Sequence, residues 1–113
     1  ATGNMPLVQS LVTQARAYMT AHSRGELQLA AIARHFNVSL CHFARLFRRH
    51  YKVSPHEYVI SLRISEARRQ LLLTGQSVES IASACGFHST SHFIRSFGQR
   101  TGVTPAQFRK LKF

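Results

Sequence analysis

The chain repeats itself. Shifted by 50 positions, seven residues coincide: Ser39 with Ser89, His42 with His92, Phe43 with Phe93, Arg45 with Arg95, Phe47 with Phe97, Val53 with Val103 and Pro55 with Pro105. Tyr58 and Phe108 are a near match. Further upstream the offset is 49, with Ile32/Ile81 and Ala33/Ala82 identical and Leu29/Val78 similar. One residue has therefore been added to the second copy, at or near His88. A chain of 113 residues that carries one stretch twice is expected to form two copies of one supersecondary unit on a shared scaffold.

Helix signals recur through both copies, and strand signals are weak. Pro6 followed by Leu7, Leu11, Ala15 and Tyr18 predicts an amphipathic helix over 6–21, with Pro at its start. Leu29, Ile32, Ala33 and Phe36 mark a short second helix, and Asn37 suits the left-handed turn that would end it. Ser39 can cap a third helix, running to about Tyr51. Ser54-Pro55-His56-Glu57 has the capping-box pattern. It opens a helix of roughly 20 residues that carries Tyr58, Leu62, Leu71 and Leu72 towards Gly75. Ser77 caps a short helix through Ala84, and Gly86 supplies the next turn. Ser89 then starts a helix that ends at Gly102. Thr104-Pro105 opens the last one, with Phe108 and Leu111 expected to face inward.

The expected fold is all-α, with seven helices in two helix-turn-helix subdomains joined by a long central helix. The subdomains span residues 6–53 and 76–113, and the linker helix spans 54–75. Residues 1–5 are set apart as a linker or cloning remnant, because Ala1-Thr2-Gly3-Asn4 precedes the first Met.

On a helical wheel with Phe43 at zero, Phe47, Leu46, His50, Leu40 and Tyr51 fall within about 80° and form the expected buried stripe. Cys41, Arg45, Arg48, Arg49 and Lys52 gather opposite. In the second copy Phe93, Phe97 and Ser96 face inward, while Ser91, Arg95, Gly98 and Gln99 face outward. A capped helix with an aromatic underside and an exposed Arg suits a reader of the DNA major groove. The helix between the copies, at 1.5 Å per residue, would span roughly 30 Å, near the ~34 Å of one duplex turn.

The charge balance agrees with an anionic partner. Fifteen Lys and Arg stand against four acids, all of them glutamate, for a net charge of +11. The absence of aspartate leaves a Ser-His-Asp triad without its orienting residue, and paired-carboxylate and two-metal sites are undersupplied. No phosphate-binding glycine loop occurs. No enzyme is expected. No apolar run approaches the ~20 residues of a membrane span, and no signal peptide is visible. Cys41 and Cys85 read as two thiols of a cytosolic protein. Cys85-x2-His88-x3-His92 has a zinc-like spacing. However, Cys85 takes the core position that Phe36 holds in the first copy, and His92 repeats a partnerless His42. No metal or other cofactor is expected.

The residues from Leu29 to Arg109 resemble the DNA-binding domain of the AraC/XylS family of bacterial transcription regulators. The resemblance rests on Ile32-Ala33 and Ser39-x3-Phe43-x-Arg45-x-Phe47 in the first copy. In the second it rests on Ile81-Ala82-x3-Gly86-Phe87-x5-Phe93-x-Arg95-x-Phe97 and Gly102-x-x-Pro105-x-x-Phe108-Arg109. It implies binding to double-stranded promoter DNA in the bacterial cytoplasm and control of transcription, often activation, through contact with RNA polymerase. Some family members carry an effector-binding or dimerisation domain ahead of this region, and others consist of this region alone.

Carried over by position, the resemblance implies base contacts from Cys41, Ala44 and Arg45, and from Thr90, Ser91, His92 and Arg95. The wheel gives 41, 45, 91 and 95 as outward on its own. Arg48, Arg49 and Lys52, towards the helix C-terminus, are expected to touch phosphates, as is outward Gln99. Ser39 and Ser89 are helix caps first, with phosphate contact as a second role. A non-specific cationic nucleic-acid or membrane binder is the alternative that net charge alone would allow.

Overall fold

The computed structural model describes residues 5–23 and 28–111, with side chains from residue 9 onward. The reading of residues 1–4 and the side chains of Pro6 and Leu7 lie outside the described part. Seven helices and no strand occur among the described residues: α1 (Met5–Ala21), α2 (Leu29–His35), α3 (Leu40–Tyr51), α4 (Pro55–Leu73), α5 (Val78–Ala84), α6 (Thr90–Thr101) and α7 (Pro105–Leu111). Contacts divide the chain into two compact units. Apart from a short stretch that includes Ser23, the first runs to Val59 and the second from Ile60.

Side-chain caps start these helices where the sequence places them. The Ser39, Ser77 and Ser89 hydroxyls accept from the His42, Ser80 and His92 amides at 3.0, 3.1 and 3.0 Å. Each bond satisfies one of the amides that a helix start leaves without a partner. Ser54 caps α4 through the Glu57 amide and donates its hydroxyl to the Glu57 carboxylate. Thr104 and Gln107 form the reciprocal box at α7: Thr104 Oγ1 accepts from the Gln107 amide, and Gln107 Oε1 accepts from the Thr104 amide.

The turns repeat as well. Asn37 (φ 58°) follows α2 in the left-handed region, and Gly86 (φ 95°) follows α5. Lys52 (φ 70°) and Gly102 (φ 83°) close α3 and α6 in the same conformation. In both units the residue after the first left-handed position bonds back in the same way. The Val38 amide donates to the Ala33 carbonyl and the Phe87 amide to the Ala82 carbonyl, each at 3.0 Å. The two turns match up to Phe87, so the added residue is His88.

Each unit has its own core. The first gathers Ala15, Met19, Ile32, Ala33, Phe43, Phe47 and Val59. The second gathers Ile60, Ile64, Ala67, Leu71, Ile81, Ala82, Cys85, Phe87, Phe93, Phe97 and Phe108. The aromatic contacts correspond: Phe43–Phe47 at 5.9 Å with Phe93–Phe97 at 5.7 Å, and Phe47–Tyr58 at 5.6 Å with Phe97–Phe108 at 5.4 Å.

The repeat also reaches one helix further back than the sequence comparison found. At an offset of 52, Val12, Ala15, Arg16 and Met19 of α1 correspond to Ile64, Ala67, Arg68 and Leu71 of α4. Six of these eight side chains are buried, and the two arginines each lie over the equivalent ring. Arg16 stands 5.8 Å from the Tyr58 ring centre and Arg68 stands 5.7 Å from that of Phe108. The helix expected to be a linker is thus also the opening helix of the second unit. It contributes Val59 to one core and Ile60, Ile64, Ala67 and Leu71 to the other.

Five side chains depart from their expected burial. Tyr18 is exposed and packs at a tilt against His22, because the buried face of α1 is Val12, Ala15 and Met19. Leu72 is exposed because the inward stripe of α4 runs through Ile64, Ala67 and Leu71. Leu111 is exposed at the final position of α7. Leu40 and His50 are exposed at the two ends of α3. Helices α1 and α2 pack on α3 and cover Phe43 and Phe47, leaving both ends of the stripe unroofed.

Candidate nucleic-acid interface

The outward faces of α3 and α6 follow from how their inward faces are anchored. Phe43 and Phe47 are fully buried on one side of α3, and Cys41, Arg45, Arg48, Arg49 and Lys52 on the other are all exposed. Ala44 is half-buried on the flank. The helix contains no acidic residue. His42, Arg45, Leu46, Arg48 and Arg49 line a shallow surface depression rich in cations.

Helix α6 repeats the plan with fewer charges. Phe93, Ser96 and Phe97 are buried, while Ser91, Arg95, Gln99 and Arg100 are exposed. Thr90 and His92 are half-buried, and the His92 ring packs edge-on against Phe87 with centres 5.6 Å apart. Gly98 is half-buried, and a Cβ there would meet only the Val103 carbonyl, at 3.9 Å. Of the sequence-derived outward set, Cys41, Arg45, Arg48, Arg49, Lys52, Ser91, Arg95 and Gln99 are solvent-facing, and Gly98 is half-buried. Ala44, Thr90 and His92 sit at the shoulder between that face and the core. Ser39 and Ser89 lie exposed at the two helix starts.

Net charge alone overstates what is free to meet an anion. The Arg16 guanidinium donates to the Tyr58 hydroxyl at 3.0 Å and lies over the Tyr51 ring at 5.2 Å. The Tyr58 and Tyr51 hydroxyls raise its pKa. Arg63 donates to the Ser23 carbonyl at 2.7 Å, and burial lowers its pKa. Arg69 pairs with Glu66 at 2.9 Å, which raises its pKa. Arg109 reaches the Leu71 and Thr74 carbonyls at the end of α4, at 3.2 and 3.3 Å. These four arginines have partners within the chain. None was distinguishable from a DNA-facing arginine by type, since what sets them apart is a partner 35 or more residues away or a nearby glutamate.

Cys85, expected at the core position equivalent to Phe36, is fully buried in the second core. Among the described residues no three His, Cys, Asp or Glu side chains are grouped to hold a metal ion. No described helix is long and apolar enough to cross a membrane.

Comparison with known proteins follows the same lines. A family model described as a helix-turn-helix domain matches residues 32–111. The HTH-type transcriptional regulator GbdR of Pseudomonas aeruginosa is 35% identical over 107 residues, covering 95% of this chain and 28% of GbdR. The chain thus spans well under half the length of such relatives. A crystal structure of a Chromobacterium violaceum transcriptional regulator, described as AraC-type and DNA-binding, superposes with a TM-score of 0.80 at 32% identity. It covers 90% of this chain and 91% of that one. The DNA-binding domain of the global transcriptional factor AdpA, solved with a target DNA, superposes at 0.82 with 26% identity, covering 88% and 90%.

Proposed function

The chain belongs to the AraC-type helix-turn-helix family of DNA-binding transcription regulators. From that premise we propose that α3 and α6 are its two recognition helices, entering successive segments of the major groove at a promoter. The family and fold are those of regulators, not of enzymes. The observation that carries the reading is the duplicated architecture. Two helices with the same serine cap and the same buried Phe pair expose an Arg at the same position, Arg45 and Arg95.

Arg45 and Arg95 are assigned to guanine edges, where the planar guanidinium donates to N7 and O6 together. Cys41, Ala44, Thr90, Ser91 and His92 are the further base-contacting positions. Arg48, Arg49, Lys52 and Gln99, with Ser39 and Ser89 at the helix starts, are assigned to the phosphate backbone and fix the register. The functional division follows residues 6–53 and 76–113, with 54–75 as the connecting helix. We place the protein in the bacterial cytoplasm, acting mainly as an activator through RNA polymerase, with effector binding left to a domain outside these residues.

The deciding experiment selects binding sites from a random duplex pool, with competitor DNA and RNA. A single asymmetric motif of about 20 base pairs is expected, since two unequal readers have no reason to share a half-site. Equal retention of random sequences, of RNA or of anionic vesicles would instead make the chain a general polycation binder.

A further inference from the structure

Two large apolar side chains stand in solvent on the recognition helices, and no core accounts for them. Leu40 is 46% exposed on α3 and Ile94 is 39% exposed on α6. Both lie on one flank of the reading face. At about 100° per residue, position 40 is in line with 44, and position 94 with 90. That stripe also carries Ala44 and Thr90, the shoulder positions beside Arg45 and Arg95. The repeat makes the pair informative. Leu40 corresponds to Thr90, and Ile94 to Ala44, so each helix carries one large apolar group on the stripe, at opposite ends.

We propose that Leu40 and Ile94 are specificity residues that read the 5-methyl group of thymine, at a different distance from the arginine-contacted guanine in each half-site. The 5-methyl group of thymine is the major groove's apolar mark, and an aliphatic side chain gains from covering it. An exposed leucine or isoleucine on a helix that otherwise faces water and phosphate has no other partner of matching chemistry there. Leu40 precedes Arg45 by five residues, whereas Ile94 directly precedes Arg95. The apolar group is therefore displaced by four residues between the copies, about 6 Å along the helix at 1.5 Å per residue. With the duplex rising ~3.4 Å per base pair, that is nearly two steps. Since a recognition helix lies at an angle in the groove, thymine and guanine should thus lie further apart in the first half-site than in the second, by up to two steps.

This inference rests on the major-groove reading above, and the test separates the two. The full chain is used with the duplex selected from the random pool. If no motif is selected, the reading itself fails. If a motif is selected, each thymine is replaced singly by uracil, which removes only the methyl group and leaves the protein intact. One position per half-site is expected to lose affinity by about fourfold, the worth of one buried methyl group. Leu40→Ala should erase the uracil sensitivity of one half-site and Ile94→Ala that of the other, each leaving the opposite half-site unchanged. A motif with no thymine near either contacted guanine, or uracil tolerated everywhere, overturns the inference. So does uracil sensitivity that persists in both variants.

Discussion

At the scale of single residues, two cations at different positions of the shared plan carry different duties. Arg95 is exposed early in α6 and is assigned to a base edge, so Arg95→Ala should weaken the selected site at least tenfold and relax the preference at one base position. Gel-shift titrations on the selected duplex and its single-base variants measure both effects. Lys52 is strained as well as charged: its φ of 70° sits where Gly102 sits in the second unit. Lys52→Gly should raise the first unit's stability by about 1 kcal/mol, because glycine enters the left-handed region without a Cβ clash. The same change should lower the slope of log affinity against log salt by about one for all sequences. Denaturant melts and salt titrations would thus move in opposite senses, and unchanged or reduced stability would refute the strain.

At the scale of elements, local rules were legible and coverage was not. The caps at Ser39, Ser77 and Ser89, and the left-handed turns at Asn37, Gly86 and Gly102, depend on a few adjacent atoms, so the sequence alone located them. The Phe43–Phe47 and Phe93–Phe97 stripes followed from phase. A helical wheel, however, knows direction but not length, and it buried Leu40 and His50, which the structure leaves exposed at the ends of α3. Helix α4 misled for a different reason. It serves two cores from adjacent positions, Val59 and Ile60, so no single stripe describes it. The left-handed Lys52 carried no glycine or asparagine signal. Ser89→Ala should cost about 1 kcal/mol and fray the first turn of α6, lifting protection from the His92 amide that the hydroxyl holds. Ser39→Ala should do the same at the His42 amide. Amide exchange at those two positions checks the pair.

At the scale of the molecule, the distribution of material matters more than its total. Among the described residues, the cations divide between arginines with partners in the scaffold, such as Arg16 and Arg109, and exposed ones on α3, such as Arg45, Arg48 and Arg49. The apolar material divides into two clusters with no residue in common. Phe47→Ala removes a fully buried ring and should cost about 3–5 kcal/mol. The loss should fall first on the first unit, raising exchange across α2 and α3 while α5 and α6 keep most of their protection. Phe97→Ala should reverse that order. Equal loss of protection in both units from either variant would mean that they unfold as one.

The double duty of α4 constrains how such a chain can change length over generations. An insertion in the turn before α6 adds a residue, as His88 does, and leaves every helical register intact. One inserted between Ile60 and Leu71 would rotate the helix beyond it by about 100°, so Ile60, Ile64, Ala67 and Leu71 could not all keep their places in the second core. Selection can therefore lengthen the turns of either copy and diversify Leu40 or Ile94 at little structural cost. New binding preferences are expected to arise from side-chain exchange on α3 and α6 rather than from indels within α4.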